Sequence, residues 1–379
     1  MRVIVAGMVA GTPNQGGAAW AVLQYVLGLR RLGHDVFLIE PVSEAQPGGS
    51  CNMEIGDSLR YLEHVAASFG LQGRCALIAP GSGATAGLTL GQVQSAFETA
   101  DLVLNFSGIL RDVDLLQKVP ARVYVDLDPG FTQLWQDVQG IDMGFGGHTH
   151  FVTVGPSIGT KGCPIPACGI DWIGTPQPVA LEYWPTATEI THDAFTTIAN
   201  WRGYGSVEYQ GAFHGQKAHS LREFIDAPVR TGERFELALS IHPGEVTDLA
   251  ALDANGWSRL DPVDVAGTPR AYRDFIAGSR SEFGIAKSGY VKGATGWFSD
   301  RSVCYLASGR PVLAQETGFS NIVPAGEGLL AFENMDDVVA GTEALRRDYP
   351  RHARAARQLA EAYFDSDRVL THLLDRIGS

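Results

Sequence analysis

The chain has 379 residues, 45% hydrophobic and 19% charged, which suits two globular domains with sizeable cores. A net charge of −13 weighs against nucleic acid and against tight attachment to anionic lipid. The cysteines Cys51, Cys75, Cys163, Cys168 and Cys304 form no CxxC pair, the start MRVIVAGMVAG lacks a signal-peptide core, and no apolar run approaches the roughly 20 residues of a membrane span, so a soluble cytoplasmic protein is expected.

In chain order, Val3–Ala6 reads as a short strand. Gly16–Leu32 reads as an amphipathic helix, with Trp20, Leu23, Val26 and Leu27 at helical spacing and Gly33 as its stop. The loop Gly11–Ala18 between them is not G-x-G-x-x-G, so a dinucleotide fingerprint is absent. Gly16 and Gly17 at the helix start either let a ligand approach the backbone N–H groups or simply serve a long turn. Val36–Ile39 is the next strand, and Ser58–Phe69 the next helix, with Leu59, Leu62, Val65 and Phe69 on one face. Leu102–Phe106, Val123–Leu127 and His150–Val154 complete a strand–helix alternation that argues for a parallel sheet with helices on both faces.

Two groups in this half could carry chemistry. Asp126 and Asp128 follow a strand, where functional residues collect in doubly wound sheets. A metal held by the pair would need the strand to continue, and Pro129 argues that it ends, so one carboxylate facing a cleft is preferred and no metal is expected. His148 and His150 have no third zinc ligand at recognisable spacing; either could serve as a base or bind hydroxyls, or be an ordinary satisfied histidine.

The Gly/Pro-rich stretch 155–185 reads as a boundary, after which the pattern restarts. Strands are expected at Thr196–Asn200, Glu236–Ile241, Trp257–Leu260, Phe283–Ala286, Pro311–Ala314 and Leu329–Phe332. Helices are expected at Ser220–Ile225, Thr247–Asn255, Thr268–Ser279 and Met335–Arg346. A further helix runs through Tyr349–Gly378, with Ala355, Leu359, Ala362 and Tyr363 as its apolar stripe. Lys217, His242 and Lys287 fall near strand ends that would ring one crevice, where cations neutralise a diphosphate; the alternative is solvated surface. A helix opens at Ser299 and Asp300, closes at Ser308–Gly309, and carries Arg301 and Ser302 in its first turn as candidate phosphate contacts. Asp300 or Glu316 could hold ribose hydroxyls.

The order Ala-Ser-Gly-Arg-Pro-Val, then Thr-Gly-Phe, then Gly-Glu-Gly-Leu-Leu-Ala-Phe in residues 307–332 resembles the nucleotide-sugar half of GT-B glycosyltransferases. Gly16, Gly17, Leu23, Leu29, Leu32, Gly33, His34, Asp35 and Val36 resemble the first βαβ unit of the retaining group-1 members, where the Gly-Gly loop lies under the donor diphosphate. The resemblance spans nearly the whole chain. It implies an α/β protein of two Rossmann-like parallel-sheet domains facing a central cleft. Residues 1–175 would hold the acceptor, residues 186–348 the nucleotide sugar, and residues 349–379 would cross back to the first domain. It also implies transfer of a sugar from a nucleoside-diphosphate donor to a small-molecule, glycan or glycolipid hydroxyl. No cofactor is implied besides that substrate, and a second copy of the chain is the remaining partner class. Lys217, Lys287 and Arg301 would stabilise the leaving group, with Asp128 or His150 as base if configuration inverts. One departure stands out. Retaining members carry Glu-x7-Glu across the key helix, and here Gly296 and Cys304 fall at those places. A nucleotide-sugar epimerase on the same fold and a non-catalytic nucleotide- or sugar-binding protein are the rival readings.

Overall fold

Short runs of Val, Ile and Leu bounded by turn residues form strands buried on both faces, and these assemble into two sheets. The computed structural model describes residues 1–42, 55–79 and 83–378, so Cys51 lies outside the described residues. The first sheet contains β1 (Arg2–Ala6), β2 (Asp35–Pro41), β3 (Cys75–Ile78), β4 (Thr85–Gly87), β5 (Leu102–Phe106), β6 (Ala121–Asp126), β7 (His150–Thr153) and β8 (Trp172–Gly174). Their order is β4-β3-β2-β1-β5-β6-β7-β8, parallel except where β4 runs against β3. In the second half, β9 (His192–Asn200) is followed by an antiparallel hairpin of β10 (Val207–Tyr209) and β11 (Ala212–His214). Then come β12 (Phe235–Ser240), β13 (Ser258–Leu260), β14 (Ser279–Gly284), β15 (Val312–Gln315) and β16 (Leu329–Phe332). The second sheet is parallel throughout, in the order β13-β12-β9-β14-β15-β16. Each sheet reverses its strand order once, between β1 and β5 and between β9 and β14. Loops leaving the carboxyl ends diverge at such a reversal and open a crevice.

The helix Gly16–Arg31 departs from the amphipathic expectation. Ala19, Trp20, Val22, Leu23, Tyr25, Val26, Leu27 and Leu29 are all buried, because this helix is the seam between the halves. Trp20 Nε1 donates to the Pro269 carbonyl at 2.8 Å, and Gln24 Nε2 lies 3.6 Å from Cys304 Sγ. A Cβ on Gly16 would stand 2.6 Å from the Ala266 carbonyl oxygen and would also collide with that of Thr268. Glycine here is what lets the second half approach the helix start.

The tail is not one helix. Tyr349–Leu359 is α-helical, residues 360–364 form a π-helical turn, and Ser366–Arg376 is α-helical again. Within residues 349–364, His352, Ala356, Ala360 and Phe364 are the buried residues, whereas Tyr363 of the expected stripe is exposed. After the turn, Ser366 N donates to the Val179 carbonyl at 2.9 Å, and the last helix packs against Gly16–Arg31 of the first half.

Candidate functional site

Where the two crevices face each other lies a cavity of about 620 Å³, inside the roughly 300–1,000 Å³ of small-molecule sites. Pro13–Ala18, Gly16 and Gly17 included, close it from the first half, and the second half supplies the rest. Among the described residues, its lining carries Lys217, Lys287 and Arg301 against a single carboxylate, Asp300.

Each charge is placed by local structure. Ser299 caps the helix Asp300–Ala307 by accepting from Arg301 N at 3.2 Å, and the helix ends at Gly309 with φ +70. Asp300 thus sits in the first turn, where burial raises its pKa and the Arg301 charge opposes that. Arg301 folds back to the sheet instead of into solvent. Its Nε donates to Glu282 of β14 at 2.6 Å and its Nη1 to the Ile198 carbonyl of β9 at 2.9 Å. Lys217 opens a short helix and donates to the Ile285 carbonyl at 3.1 Å. Burial, then the nearby Arg301 and Lys287 charges, push its pKa well below the usual lysine range.

Lys287 meets a carboxylate of the other half. Its Nζ lies 3.1 and 3.2 Å from the two oxygens of Asp128, in the loop after β6. The Tyr204 and Tyr290 hydroxyls both donate to Asp128 and both accept from Lys287. Burial, then the Asp128 charge, raises both tyrosine pKa values, so both stay protonated donors. Phe131 and Trp135 pack edge-on against Tyr204, at centroid separations of 5.0 and 4.7 Å. Asp128 itself is not part of the cavity lining.

The remaining candidates fall elsewhere. Ser302 is buried and lines a small void behind the helix. Glu316 lies outside the cavity; its carboxylate accepts from the backbone of Thr317 at 3.0 Å, Gly318 at 2.6 Å and Ser320 at 3.4 Å, holding its own turn. His242 is exposed, and its Nδ1 accepts from Gly244 N at 3.0 Å. The histidines assigned to catalysis stand at the wrong end of the sheet. His150 begins β7 and His148 precedes it, so both lie at the amino end, while the cavity lies at the carboxyl ends. His148 is held between Asn105 Nδ2 at 3.0 Å and the Phe145 carbonyl at 3.2 Å, and burial lowers its pKa. His150 contacts Thr149 Oγ1 at 2.9 Å. Asp126 is fully buried and accepts from Thr132, Gln133, Thr153 and the Asp128 backbone at 2.7–3.0 Å, so it anchors the turn that presents Asp128.

Sequence reasoning missed Tyr204, Tyr290 and Glu282. The tyrosines sit beyond β9 and in the short helix Ser288–Gly293, where no period marks them. Glu282 lies in Ser279–Gly284, too polar to read as a buried strand. Among the described residues, no group of three or more His, Cys, Asp or Glu could hold a metal, and no helix is long and apolar enough to cross a membrane.

No family model and no curated protein matches the chain. Solved structures match in fold over its whole length. An alpha-glucosyltransferase in complex with UDP and a 13-mer DNA is 11% identical at a TM-score of 0.59, covering 100% of this chain and 99% of that one. HepE from Anabaena, in complex with UDP and glucose, is 12% identical at 0.58, covering 99% and 98%. Sucrose-phosphate synthase from Thermosynechococcus elongatus is 10% identical at 0.57, covering 100% and 99%. The fold is GT-B: two facing parallel-sheet halves with a cleft between them. The exclusion of nucleic acid drawn from net charge is overturned, since a protein of this fold is seen with DNA. Phosphate recognition depends on where Lys and Arg are placed on a surface, which a whole-chain charge does not report.

Proposed function

We propose that the protein transfers a sugar from a nucleoside-diphosphate sugar to a hydroxyl acceptor. The observation that carries this reading is the convergence of Lys217, Lys287 and Arg301 on one cavity, against a single carboxylate among the described residues. Such a set suits an anion bearing two phosphates, and it stabilises the charge that develops as the nucleoside diphosphate departs. UDP in the glucosyltransferase and HepE structures supports the donor class. The donor is assigned chiefly to the second half and the acceptor to the first, where Asp128 pairs with the cavity cation Lys287. Neither Glu-x7-Glu place offers an acid: Cys304 is buried beneath the seam helix, and a side chain on Gly296 would press on Ile322 and Ser157 at 2.8 and 2.9 Å. Asp300 is therefore assigned the hydroxyls of the donor. A divalent metal is not assigned, because Asp126 is spent on its turn and Asp128 on Lys287. The four described cysteines are free, which fits a cytoplasmic setting.

A thermal-shift panel of nucleotide sugars tests the donor. A ligand at 100 times its Kd stabilises the native state by about 2.7 kcal/mol. Release of nucleoside diphosphate that requires an acceptor hydroxyl then identifies transfer. Turnover of the donor alone would mean an epimerase, and stoichiometric binding without turnover a binding protein.

A further inference from the structure

The cavity's cations do not stand in equivalent positions. Arg301 is backed by Glu282, a residue of its own half, and both are buried in the wall. Lys287 is backed by Asp128 of the opposite half, at 3.1 Å, with the two side chains 20% and 21% exposed. Lys287 and Tyr204 belong to the cavity lining and Asp128 does not. Aromatic faces surround the ammonium, with centroids of Tyr204 at 4.2 Å, Tyr290 at 5.0 Å and Phe131 at 5.3 Å. The ammonium thus sits on the border between the cavity and the first half, already neutralised by a carboxylate.

An ammonium gives its full attraction to only one anion at a time. We infer that Lys287 is handed from Asp128 to the donor's diphosphate, and that this hand-over makes the protein bind donor before acceptor. The inference rests on the donor reading given above. With no donor present, Asp128 is occupied by Lys287, Tyr204 and Tyr290, and its oxygens are closed to an acceptor hydroxyl. When a diphosphate draws Lys287 away, Asp128 loses its cation and keeps two tyrosine donors. The carboxylate can then receive the acceptor's O–H beside the sugar. Asp128 is in this sense a positioning residue for Lys287 in the first step and an acceptor-binding residue in the second. Tyr204 couples the two, since its hydroxyl bonds both partners and its ring lines the cavity.

The test is a calorimetric cycle with UDP, GDP, ADP and dTDP as probes. Asp128→Asn removes the competing charge, so the nucleoside diphosphate that binds the wild type should bind this variant more tightly, by roughly two- to fivefold, the scale of releasing a partly exposed ion pair. Turnover should nevertheless fall. In a Lys287→Met background the same Asp128→Asn change should bring no gain, because the competition runs through that ammonium. An equal gain in both backgrounds would reveal general repulsion between Asp128 and phosphate, and would overturn the hand-over. An unchanged or weakened affinity in Asp128→Asn would overturn it too. Tyr204→Phe keeps the packing ring while removing both hydroxyl contacts. It should give a smaller gain of the same sign, so an Asp128 variant that fails to fold leaves the question decidable. If none of the four probes binds the wild type, the donor reading falls and the hand-over with it. Binding that ignores Asp128 sinks the hand-over alone.

Discussion

Two ion pairs join a cavity cation to a carboxylate, and their difference shows how one chemistry serves two ends. Glu282 and Arg301 belong to the second half, meet at 2.6 Å, and have side chains 0% and 9% exposed. Asp128 and Lys287 come from opposite halves and meet at 3.1 Å in a place water can still reach. The first pair is part of the wall. Breaking it leaves a buried charge uncompensated, which costs far more than the pair's net worth. The second pair spans a gap. Its free energy is small because water competes for both ends, so a ligand can take one partner away.

Glu282→Gln gives the largest expected effect. It strands the Arg301 guanidinium in the wall, and stability should fall by about 3–5 kcal/mol. The urea midpoint reports this, provided the slope is unchanged. Asp128→Asn should cost no more than about 1 kcal/mol by the same measurement. Equal losses in the two variants would erase the distinction between wall and gap.

Gly16→Ala probes the seam beside both pairs. Its Cβ would press on the carbonyls of Ala266 and Thr268, so the second half must back away from the first helix. Overpacking of this kind costs typically 1–3 kcal/mol. Nucleoside diphosphate affinity should fall with it, because residues 13–18 form one wall of the cavity. Full affinity in a destabilised Gly16→Ala protein would show that the seam and the cavity are independent.

Lys217 sharpens the comparison, because among the described residues it pairs with no carboxylate and donates to the Ile285 carbonyl. Burial and two neighbouring cations hold its pKa low in the empty cavity. A bound diphosphate favours the charged form and raises that pKa. Above the lowered value the empty protein lacks the proton and the complex holds it, so binding takes up a proton and affinity falls as pH rises. Calorimetry in buffers of different ionisation heat should show this uptake, and Lys217→Met should abolish it. The variant should also lose roughly 1–3 kcal/mol of affinity, as when a charge-assisted hydrogen bond is removed. Heats identical in every buffer would mean that Lys217 keeps one protonation state through binding, and would overturn the proton uptake.

The fold was legible where periodicity reports burial. Strand–helix alternation, the Ser299 cap and the Gly309 stop can all be read from the residues alone. Lys217, Lys287, Arg301 and Asp300 were legible as well, because a strand's end or a helix's start implies which crevice it faces. Side chains consumed by their own turns were not. His242 and Glu316 stand at the right ends of strands, yet each is tied to the backbone a few residues on. The tail stripe was misplaced by one position, since the i, i+4 series His352, Ala356, Ala360 and Phe364 is buried where Ala355, Leu359 and Tyr363 were expected. The Tyr204–Tyr290 pair could not be found in advance, since two irregular segments distant in sequence bring it together.

The histidines were a different matter, because the sequence held the correcting signal. A residue that opens a strand of a parallel sheet lies at the edge away from the ligand crevice. His150 is the first residue of the four-residue β7, and such a strand rises about 13 Å from end to end. No single hydrogen bond carries a proton from that ring to the cavity. Its Nδ1 is turned to Thr149 Oγ1 at 2.9 Å, and its nearest open space is a separate surface hollow bounded by Asp171 and Arg376. His150→Ala should accordingly leave turnover and its pH dependence as they are, with stability within about 0.5 kcal/mol of the parent, the usual range for surface substitutions. This is the smallest expected effect, and it bears on the same contrast of regions. If function resides in charges at the carboxyl edges, a titratable group at the amino edge can be removed without consequence. A folded His150→Ala protein with turnover lowered tenfold would contradict that placement, and would return the proton chemistry to the edge that the geometry leaves idle.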